Sequence, residues 1–233
     1  MNTQQLNETI SKTLAAWNIP GASVAVVQGD DVFAQGYGVL EAGKTEAVNA
    51  DTIFAIGSTT KAFTSALIGM LVDEGKLAWD DFVIQYIPEF ELYDDWVTRH
   101  VTVRDLLCHR LGLERAQRLY YHRGYDQREI MRRMKYLKPA VGFRTGFNYA
   151  NQQYGVAGLI VEAITGKTWD DFITERIFNA MNMSRSFSSY NRLADFKNFA
   201  SPHAVADETY PAGVRFLGDQ QPTEQFKIMH EPA

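Results

Sequence analysis

The spacing of apolar positions along the chain predicts one short β-hairpin followed by a series of helices. Leu6, Ile10, Leu14 and Trp17 recur at helical intervals, which predicts an amphipathic helix over residues 3–17. A Pro/Gly turn separates this helix from two β-rich runs, "ASVAVVQ" and "VFAQGYGVL", which lie on either side of "GDD". Two such runs around a short polar turn are typical of an antiparallel hairpin.

Helical periodicity dominates from Ser58 onwards. The first helix of this region is expected to begin at Ser58, to end at Gly75 and to bury one apolar stripe, namely Phe63, Ala66, Leu67, Met70 and Leu71. Pairs of residues with capping side chains predict three more helix starts, at Thr102/Asp105, Asp126/Glu129 and Thr168/Asp171. A further helix is predicted from about Asn151 to Thr165, with Gly166 at its end. After Ser184 the periodicity fades into loops with one or two short strands.

These elements indicate an α+β protein with a single domain over residues 1–233. Its parts are an N-terminal helix and hairpin (1–50), a mostly helical region (51–185) and an irregular tail (186–233). A chain that is 45 % apolar and 22 % charged is typical of a soluble globular protein. A two-stranded hairpin is marginally stable alone, so we expect more strands beside it or helices over it.

Charge and hydropathy exclude several classes of partner. The net charge is −5 and no long basic run is present, so we expect no nucleic-acid partner. No stretch approaches the ~18 apolar residues of a membrane span. The N-terminus lacks the apolar core of a secretory signal, which predicts a cytoplasmic protein as written, or a periplasmic or secreted one if a signal was removed. The one cysteine, Cys108, follows two leucines and is predicted to be a buried, inert thiol.

The candidate chemistry begins with Ser58 and Lys61. At positions i and i+3 of a helix both side chains share one face, so the lysine can reach the serine hydroxyl and take its proton. Free backbone N–H groups and the positive end of the helix dipole favour negative charge at such a helix start. An isolated S-x-x-K is equally compatible with a capping serine and a solvated lysine.

A second candidate pair is Tyr149 and Asn151, in a Y-x-N just before a predicted helix. A tyrosine beside a lysine can help to transfer a proton, and an asparagine two residues on faces the same way in an extended segment. It can then hydrogen-bond the amide or ester of a substrate. The same Y-x-N sequence is equally compatible with a turn whose tyrosine packs against the protein and has no role in catalysis.

Together the two motifs resemble the class C β-lactamase-like serine hydrolases, a family with penicillin-binding DD-peptidases and esterases among its relatives. "WNIPGASVAVVQGDDVFAQGYGV" resembles the N-terminal hairpin of that family, and "DTIFAIGSTTKAFTSALIGMLVDEGKLAWDD" resembles its nucleophile region. "VTVRDLLCHRLGL" is similar to its "LLxHxSGL" stretch, with Leu111 in place of the small polar residue. The resemblance covers about residues 5–190 and implies a β-lactamase/transpeptidase-like fold with a helical subdomain.

The resemblance also implies roles for these residues. Ser58 would be the acylated nucleophile, Lys61 its base partner and Tyr149 a participant in proton transfer. Asn151 would bind the substrate, a β-lactam, D-Ala peptide or carboxylester, and the Ser58 N–H would supply half of an oxyanion hole. No cofactor is expected.

One part of the family pattern is absent from the sequence. The family has a third motif, Lys- or His-x-Gly, on a late strand that supplies the second oxyanion donor, and no lysine or histidine after Asn151 has a glycine two residues on. Three readings follow. The chain is a fragment of a longer hydrolase, or one half of an enzyme that needs a complementing C-terminal segment, or a non-catalytic protein that binds ligands.

Two other kinds of site are disfavoured. The five histidines show no H-x-H or H-x-x-x-H spacing, which argues against zinc, and His109 is expected to be structural. The α/β-hydrolase nucleophile motif G-x-S-x-G is missing, because Ile56 stands where its first glycine would be.

Overall fold

A computed structural model describes residues 1–116, 119, 124–205 and 220–222 of the chain. Two compact units are present. The first draws on residues 1–55 and on the segment from 190 onwards, and the second on residues 56–189. The expectation of a single domain over residues 1–233 stays a prediction.

The first unit contains the predicted N-terminal helix and hairpin. Helix α1 spans Thr3–Ala16, one residue shorter than expected, and the Asn2 side chain accepts a hydrogen bond from the Gln5 N–H at its start. Strands β1 (Gly21–Gln28) and β2 (Asp31–Gly38) pair antiparallel, from Gly21 opposite Gly38 to Gln28 opposite Asp31. The two-residue turn between them was correctly placed by the sequence pattern.

The hairpin has one half-buried face and one exposed face. Val24, Val26 and Phe33 lie on the half-buried face, whereas Val27 and Val32 are 69 % and 71 % exposed on the other. No residue of either strand is fully buried. The hairpin therefore lacks a core of its own in the part of the chain that the structure describes.

The described residues of the later part of the first unit include three short elements. A 3₁₀ turn spans Tyr190–Asp195, and strands β3 (His203–Val205) and β4 (Gln220–Pro222) pair antiparallel. Residue Ile53 bridges to Phe199, and Thr52 Oγ1 donates to Asn198 Oδ1 at 2.7 Å. The remaining tail residues lie outside the described ranges.

The second unit is helical. Its α-helices are α2 (Thr60–Asp73), α3 (Asp95–His100), α4 (Val103–Leu107), α5 (Gln127–Arg133), α6 (Asn151–Thr165) and α7 (Trp169–Ile173). Short 3₁₀ turns span Gly57–Thr59, Val83–Gln85 and Met134–Tyr136, and a π-helical turn at Thr174–Phe178 follows α7. Among the described residues, none of these helices, nor α1, is long and apolar enough to cross a bilayer.

Helices α2 and α6 contribute much of the hydrophobic core. The buried stripe of α2 contains Leu67, Ile68 and Leu71, while Ala66 is exposed, so the predicted stripe was wrong at that position. Helix α6 ends at Gly166, which has the left-handed φ of 69° expected of a terminating glycine.

Two expectations near the candidate site are corrected. Helix α2 begins at Thr60, and Ser58 lies in the preceding 3₁₀ turn, because the chain tightens before the first α-helical hydrogen bond. Cys108 is exposed, because the five-residue α4 ends at Leu107 and Cys108 caps it, beyond the buried side chains of Val103, Asp105 and Leu106.

A buried carboxylate, Asp105, organises the segment that leads to the site. Thr102 and Asp105 form the predicted capping box, in which the Thr102 N–H donates to Asp105 Oδ2 at 2.8 Å. Arg144 donates through two nitrogens to the same carboxylate, at 2.6 and 3.0 Å, and Arg110 donates to it as well. One fully buried side chain thus joins the start of α4 to two residues far apart in the sequence.

Backbone hydrogen bonds extend this connection towards residue 150. The Arg144 N–H donates to the Arg110 carbonyl at 2.8 Å, and the Ala140 N–H donates to the Gly112 carbonyl at 2.8 Å. Gly112 has a φ of +77°, and a Cβ there would lie 2.1 Å from the Val141 oxygen. Only glycine therefore allows the chain to approach so closely at this point.

Charge–charge contacts explain why the buried Asp105 stays ionised. Burial alone would raise the pKa of Asp105, but hydrogen bonds from Arg144, Thr102 and Arg110 lower it overall. A carboxylate whose folded-state pKa is depressed contributes stability above its unfolded pKa, and that contribution is lost as the pH falls through the folded value.

We predict that Asp105→Asn lowers the free energy of unfolding by about 2–3 kcal/mol at pH 7, because hydrogen bonds to a charged group are lost in a buried place. The difference in unfolding free energy between the variant and the unmodified chain should stay constant above about pH 5. It should become smaller below about pH 4, where the Asp105 carboxylate of the unmodified chain becomes protonated. Urea denaturation at a series of pH values measures both.

The matched control is Asp80→Asn, which breaks the exposed Asp80–Arg104 ion pair at 2.8 Å. Since exposed ion pairs contribute little to stability, this variant should unfold close to the unmodified chain at neutral pH. Equal losses of unfolding free energy from the two substitutions would contradict the claim that the buried Asp105 stabilises the fold more than an exposed ion pair does.

Candidate active site

The turn before α2 presents Ser58 to solvent. Gly57 has a left-handed φ of +52°, which reverses the chain just before the serine. Ser58 is exposed, whereas Lys61, in the first turn of α2, is half-buried. Lys61 Nζ donates to Ser58 Oγ at 3.3 Å. The two side chains therefore meet as the i, i+3 spacing predicted, although Ser58 precedes the α-helix itself.

The Y-x-N segment brings its two side chains to the same place. Ala150 is extended, with φ −145° and ψ 121°, so Tyr149 and Asn151 project to the same side. The Tyr149 hydroxyl and Ser58 Oγ share a hydrogen bond of 2.5 Å, and Lys61 Nζ donates to Asn151 Oδ1 at 2.8 Å. All four residues singled out from the sequence thus form one hydrogen-bonded cluster.

Two aromatic rings flank the Lys61 ammonium. Its nitrogen lies 4.8 Å from the centre of the Tyr149 ring and 5.5 Å from that of Tyr154. Tyr154 is fixed in turn, because its hydroxyl donates to the Leu107 carbonyl at 2.9 Å. The rings attract the cation and hold it beside both Ser58 and Asn151.

Three neighbours of the cluster were not identified as site residues from the sequence. Tyr154 follows Asn151 by three residues on α6, so helical spacing could have revealed it. His109, expected to be structural, contacts Tyr149 with ring centres 4.5 Å apart. Arg115 places its guanidinium carbon 5.3 Å from the Tyr149 ring, and no sequence pattern indicated that contact.

The local charges act on the Tyr149 phenol. Burial would raise the pKa of Tyr149, but hydrogen bonding to Lys61 and Ser58 and the positive charges of Lys61 and Arg115 together lower it. A larger fraction of Tyr149 is therefore phenolate at a given pH than for a free tyrosine. A phenolate within hydrogen-bonding distance of a serine hydroxyl can accept its proton.

Metal binding finds no support in the described part of the chain, where no three His, Cys, Asp or Glu side chains are grouped closely enough to hold an ion. The chemistry available to the cluster is proton transfer around one exposed hydroxyl. This arrangement defines a serine–lysine–tyrosine site on a β-lactamase/transpeptidase-like fold.

Comparison with known proteins identifies the family. The chain matches the Beta-lactamase family over residues 6–215, and it belongs to that family. It is similar to the "Unguisins hydrolase ungD'" of Aspergillus campestris (strain IBT 28561), with 36 % identity over 196 residues that cover 80 % of this chain and 36 % of the relative. It is also similar to "Penicillin-binding protein 4" of Amycolatopsis lactamdurans, with 34 % identity over 175 residues, 73 % of this chain and 45 % of the relative.

A solved structure supports the fold. The octameric penicillin-binding protein homologue from Pyrococcus abyssi superposes with a TM-score of 0.77 at 25 % identity, over 94 % of this chain and 53 % of that one. The resemblance inferred from the motifs is thereby confirmed at the level of family and fold. The chain spans about two fifths of the length of the curated relatives that it matches.

We predict that one of the eleven tyrosines, Tyr149, ionises below the ordinary pKa of about 10. In a spectrophotometric titration at 295 nm, Tyr149→Phe should remove this early component. Lys61→Met should shift it to higher pH, because the main favourable charge is gone. Tyr136→Phe, which removes an exposed tyrosine, serves as the control. An early component that survives Tyr149→Phe would contradict the assignment.

Proposed function

We propose that this chain carries the nucleophile of a serine hydrolase that forms an acyl-enzyme on Ser58. The observation behind the proposal is the cluster in which one exposed hydroxyl receives hydrogen-bonding contacts from Tyr149 at 2.5 Å and Lys61 at 3.3 Å. The family match and the hydrolase named among the relatives support serine-hydrolase chemistry in general.

Acylation begins with Ser58. Its oxygen attacks the carbonyl carbon of an amide or ester, and its proton passes to the Tyr149–Lys61 pair. Tyr149 is the closer acceptor, and Lys61 favours the phenolate electrostatically. Collapse of the tetrahedral intermediate returns the proton to the leaving amine or alcohol and leaves an ester on Ser58. A water molecule, activated by the same pair, then hydrolyses this ester and restores the serine.

Negative charge on the tetrahedral intermediate needs hydrogen-bond donors. The Ser58 N–H lies at the start of the turn that leads into α2, where the helix dipole also favours an oxyanion. One such donor contributes ~3 kcal/mol to transition-state stabilisation. A second donor must come from elsewhere, because no Lys- or His-x-Gly follows Asn151 in the sequence.

The proposed substrates contain an amide or ester bond, in a β-lactam, a D-Ala peptide or a carboxylester. Asn151 would orient the carbonyl-bearing group while its Oδ1 holds Lys61 in place. The relatives bear the names of an unguisins hydrolase and a penicillin-binding protein, so unguisins and penicillins are the first compounds to examine.

Labelling with a fluorescent penicillin or a fluorophosphonate tests the nucleophile. We expect a single adduct, on the peptide that contains Ser58, and its loss in Ser58→Ala. Ser23→Ala, at an exposed serine of β1, is the control and should label as the unmodified chain does. An adduct that persists in Ser58→Ala would refute the proposal.

A second proposal concerns a complementing C-terminal segment that adds strands to the hairpin. The supporting observation is a two-stranded sheet without a fully buried residue, to which no further strand pairs within the described residues. Unpaired strand edges are an aggregation hazard that an added strand removes. The same segment could supply a second oxyanion donor, and one such donor changes the rate by ~10²–10³.

We therefore predict that the 233-residue chain alone turns over p-nitrophenyl acetate or nitrocefin poorly or not at all. A separately expressed C-terminal segment from a longer relative should improve its solubility and its activity together. Light scattering and the two assays measure both effects, with Ser58→Ala as the blank. A soluble monomer with kcat near the enzyme median of ~10 s⁻¹ and no need of the segment would contradict this prediction.

A further inference from the structure

The residue after Cys108, His109, is buried among the aromatic side chains of the site. Its side chain is nearly inaccessible, with 6 % of the residue exposed. Its ring lies 4.5 Å from the Tyr149 ring and 5.1 Å from the Tyr154 ring, tilted by 38° and 39°. Phe147 meets it edge-on at 5.5 Å. The imidazole therefore fills the space beside the two tyrosines that flank Lys61.

His109 accepts two backbone hydrogen bonds, one from each side of Tyr149. The Ala150 N–H donates to His109 Nδ1 at 3.2 Å, and the Asn148 N–H donates to the His109 carbonyl at 2.8 Å. One residue thus fixes the backbone immediately before and immediately after the tyrosine.

The contact with Ala150 requires one particular protonation state. Nδ1 can accept a hydrogen bond only while it keeps its lone pair, and in the imidazolium both ring nitrogens are donors. Burial, the larger effect, and the positive charge of Lys61 both lower the pKa of His109. His109 is accordingly neutral at neutral pH.

Among the described residues that contact the imidazole or act on it electrostatically, none is a carboxylate that would stabilise its charged form. Lys61 of α2 acts on it as a positive charge, and Tyr149 and Tyr154 contact its ring. Arg115 adds a second cation on the Tyr149 ring. Protonation would place a third positive charge in this cluster and a donor opposite the Ala150 N–H.

We propose that His109 is a positioning residue that holds Tyr149 against Ser58 only while its imidazole is neutral. On protonation the Ala150 N–H loses its acceptor, and the Tyr149–Asn151 segment shifts away from the serine. This inference rests on the proposed acylation of Ser58. It assigns a loss of acylation on the acidic side, below the ordinary histidine pKa of about 6.5, to His109 rather than to the reacting groups.

Two substitutions distinguish the role of His109 as a hydrogen-bond acceptor from the effect of its change in charge. His109→Asn offers an amide oxygen near the position of Nδ1 and cannot become charged, and asparagine tolerates the left-handed φ of 54° found here. His109→Leu fills similar space without any acceptor. Melting temperatures at each pH identify any loss of folding in either variant.

The measurement is the rate at which a fluorophosphonate labels Ser58 between pH 4.5 and 8. We expect His109→Asn to label within about tenfold of the unmodified chain at pH 7.5. The variant should lose only the additional decline below about pH 6.5 that His109 causes, because no group titrates at that position. The gradual fall in Tyr149 phenolate towards acid pH is common to both proteins. His109→Leu should label about 10²-fold more slowly, the usual effect of a small misplacement of a reacting group. An unchanged acidic decline in His109→Asn, or a normal rate in a folded His109→Leu, would overturn the proposal.

A second readout does not depend on activity. In ¹H–¹⁵N spectra the Ala150 amide should shift with the titration of His109, and this transition should vanish in His109→Asn. If the unmodified chain does not label at all, the proposal that Ser58 is the nucleophile is refuted. The Ala150 amide shift then decides by itself whether His109 positions the segment. An amide that does not respond between pH 4.5 and 8 overturns the positioning role, and one that follows His109 supports it.

Discussion

The geometry of the site depends on one buried carboxylate. Asp105 caps the start of α4 and binds both Arg110 and Arg144, so it joins the beginning of one helix to a segment more than thirty residues later. A buried charge is stable only when it is paired and hydrogen-bonded. The Asp105 carboxylate therefore needs its contacts with both arginines and with the helix start together. The backbone that Asp105 fixes leads through His109 on one side and towards Tyr149 on the other.

The cluster around Ser58 is held together by a different interaction, the attraction between the Lys61 ammonium and its surroundings. Asn151 accepts a hydrogen bond from it, and the rings of Tyr149 and Tyr154 lie around it. The same cation lowers the pKa of Tyr149 and that of His109, although burial opposes the first effect and reinforces the second. The Lys61 charge thus favours both the phenolate of Tyr149 and the neutral imidazole of His109. The phenolate can accept the proton of Ser58, and the neutral imidazole can accept the hydrogen bond from Ala150.

Local patterns in the sequence were sufficient to locate most elements and to select four candidate residues that the structure brings into one hydrogen-bonded cluster. The capping pair Thr102/Asp105 and the terminal Gly166 were found because caps depend on contacts within a few residues. Ser58 and Lys61 were found for the same reason, since their spacing alone brings them to one face of a turn. The errors were also local: Ala66 and Cys108 were placed on buried faces, because a stretch of apolar neighbours does not reveal which face a short helix turns inwards.

The sequence by itself determined the family, the order of the helices and the hairpin, because each has a signature within a short window. For the same reason it was enough to single out Ser58, Lys61, Tyr149 and Asn151 as candidates. Only the tertiary structure decided that Tyr149 reaches Ser58, that Tyr154 flanks Lys61 and that His109 supports Ala150. These contacts join residues forty to ninety positions apart, and no periodicity or spacing encodes them. They follow from the buried ion pairs and the core packing that bring α2, α4 and α6 together.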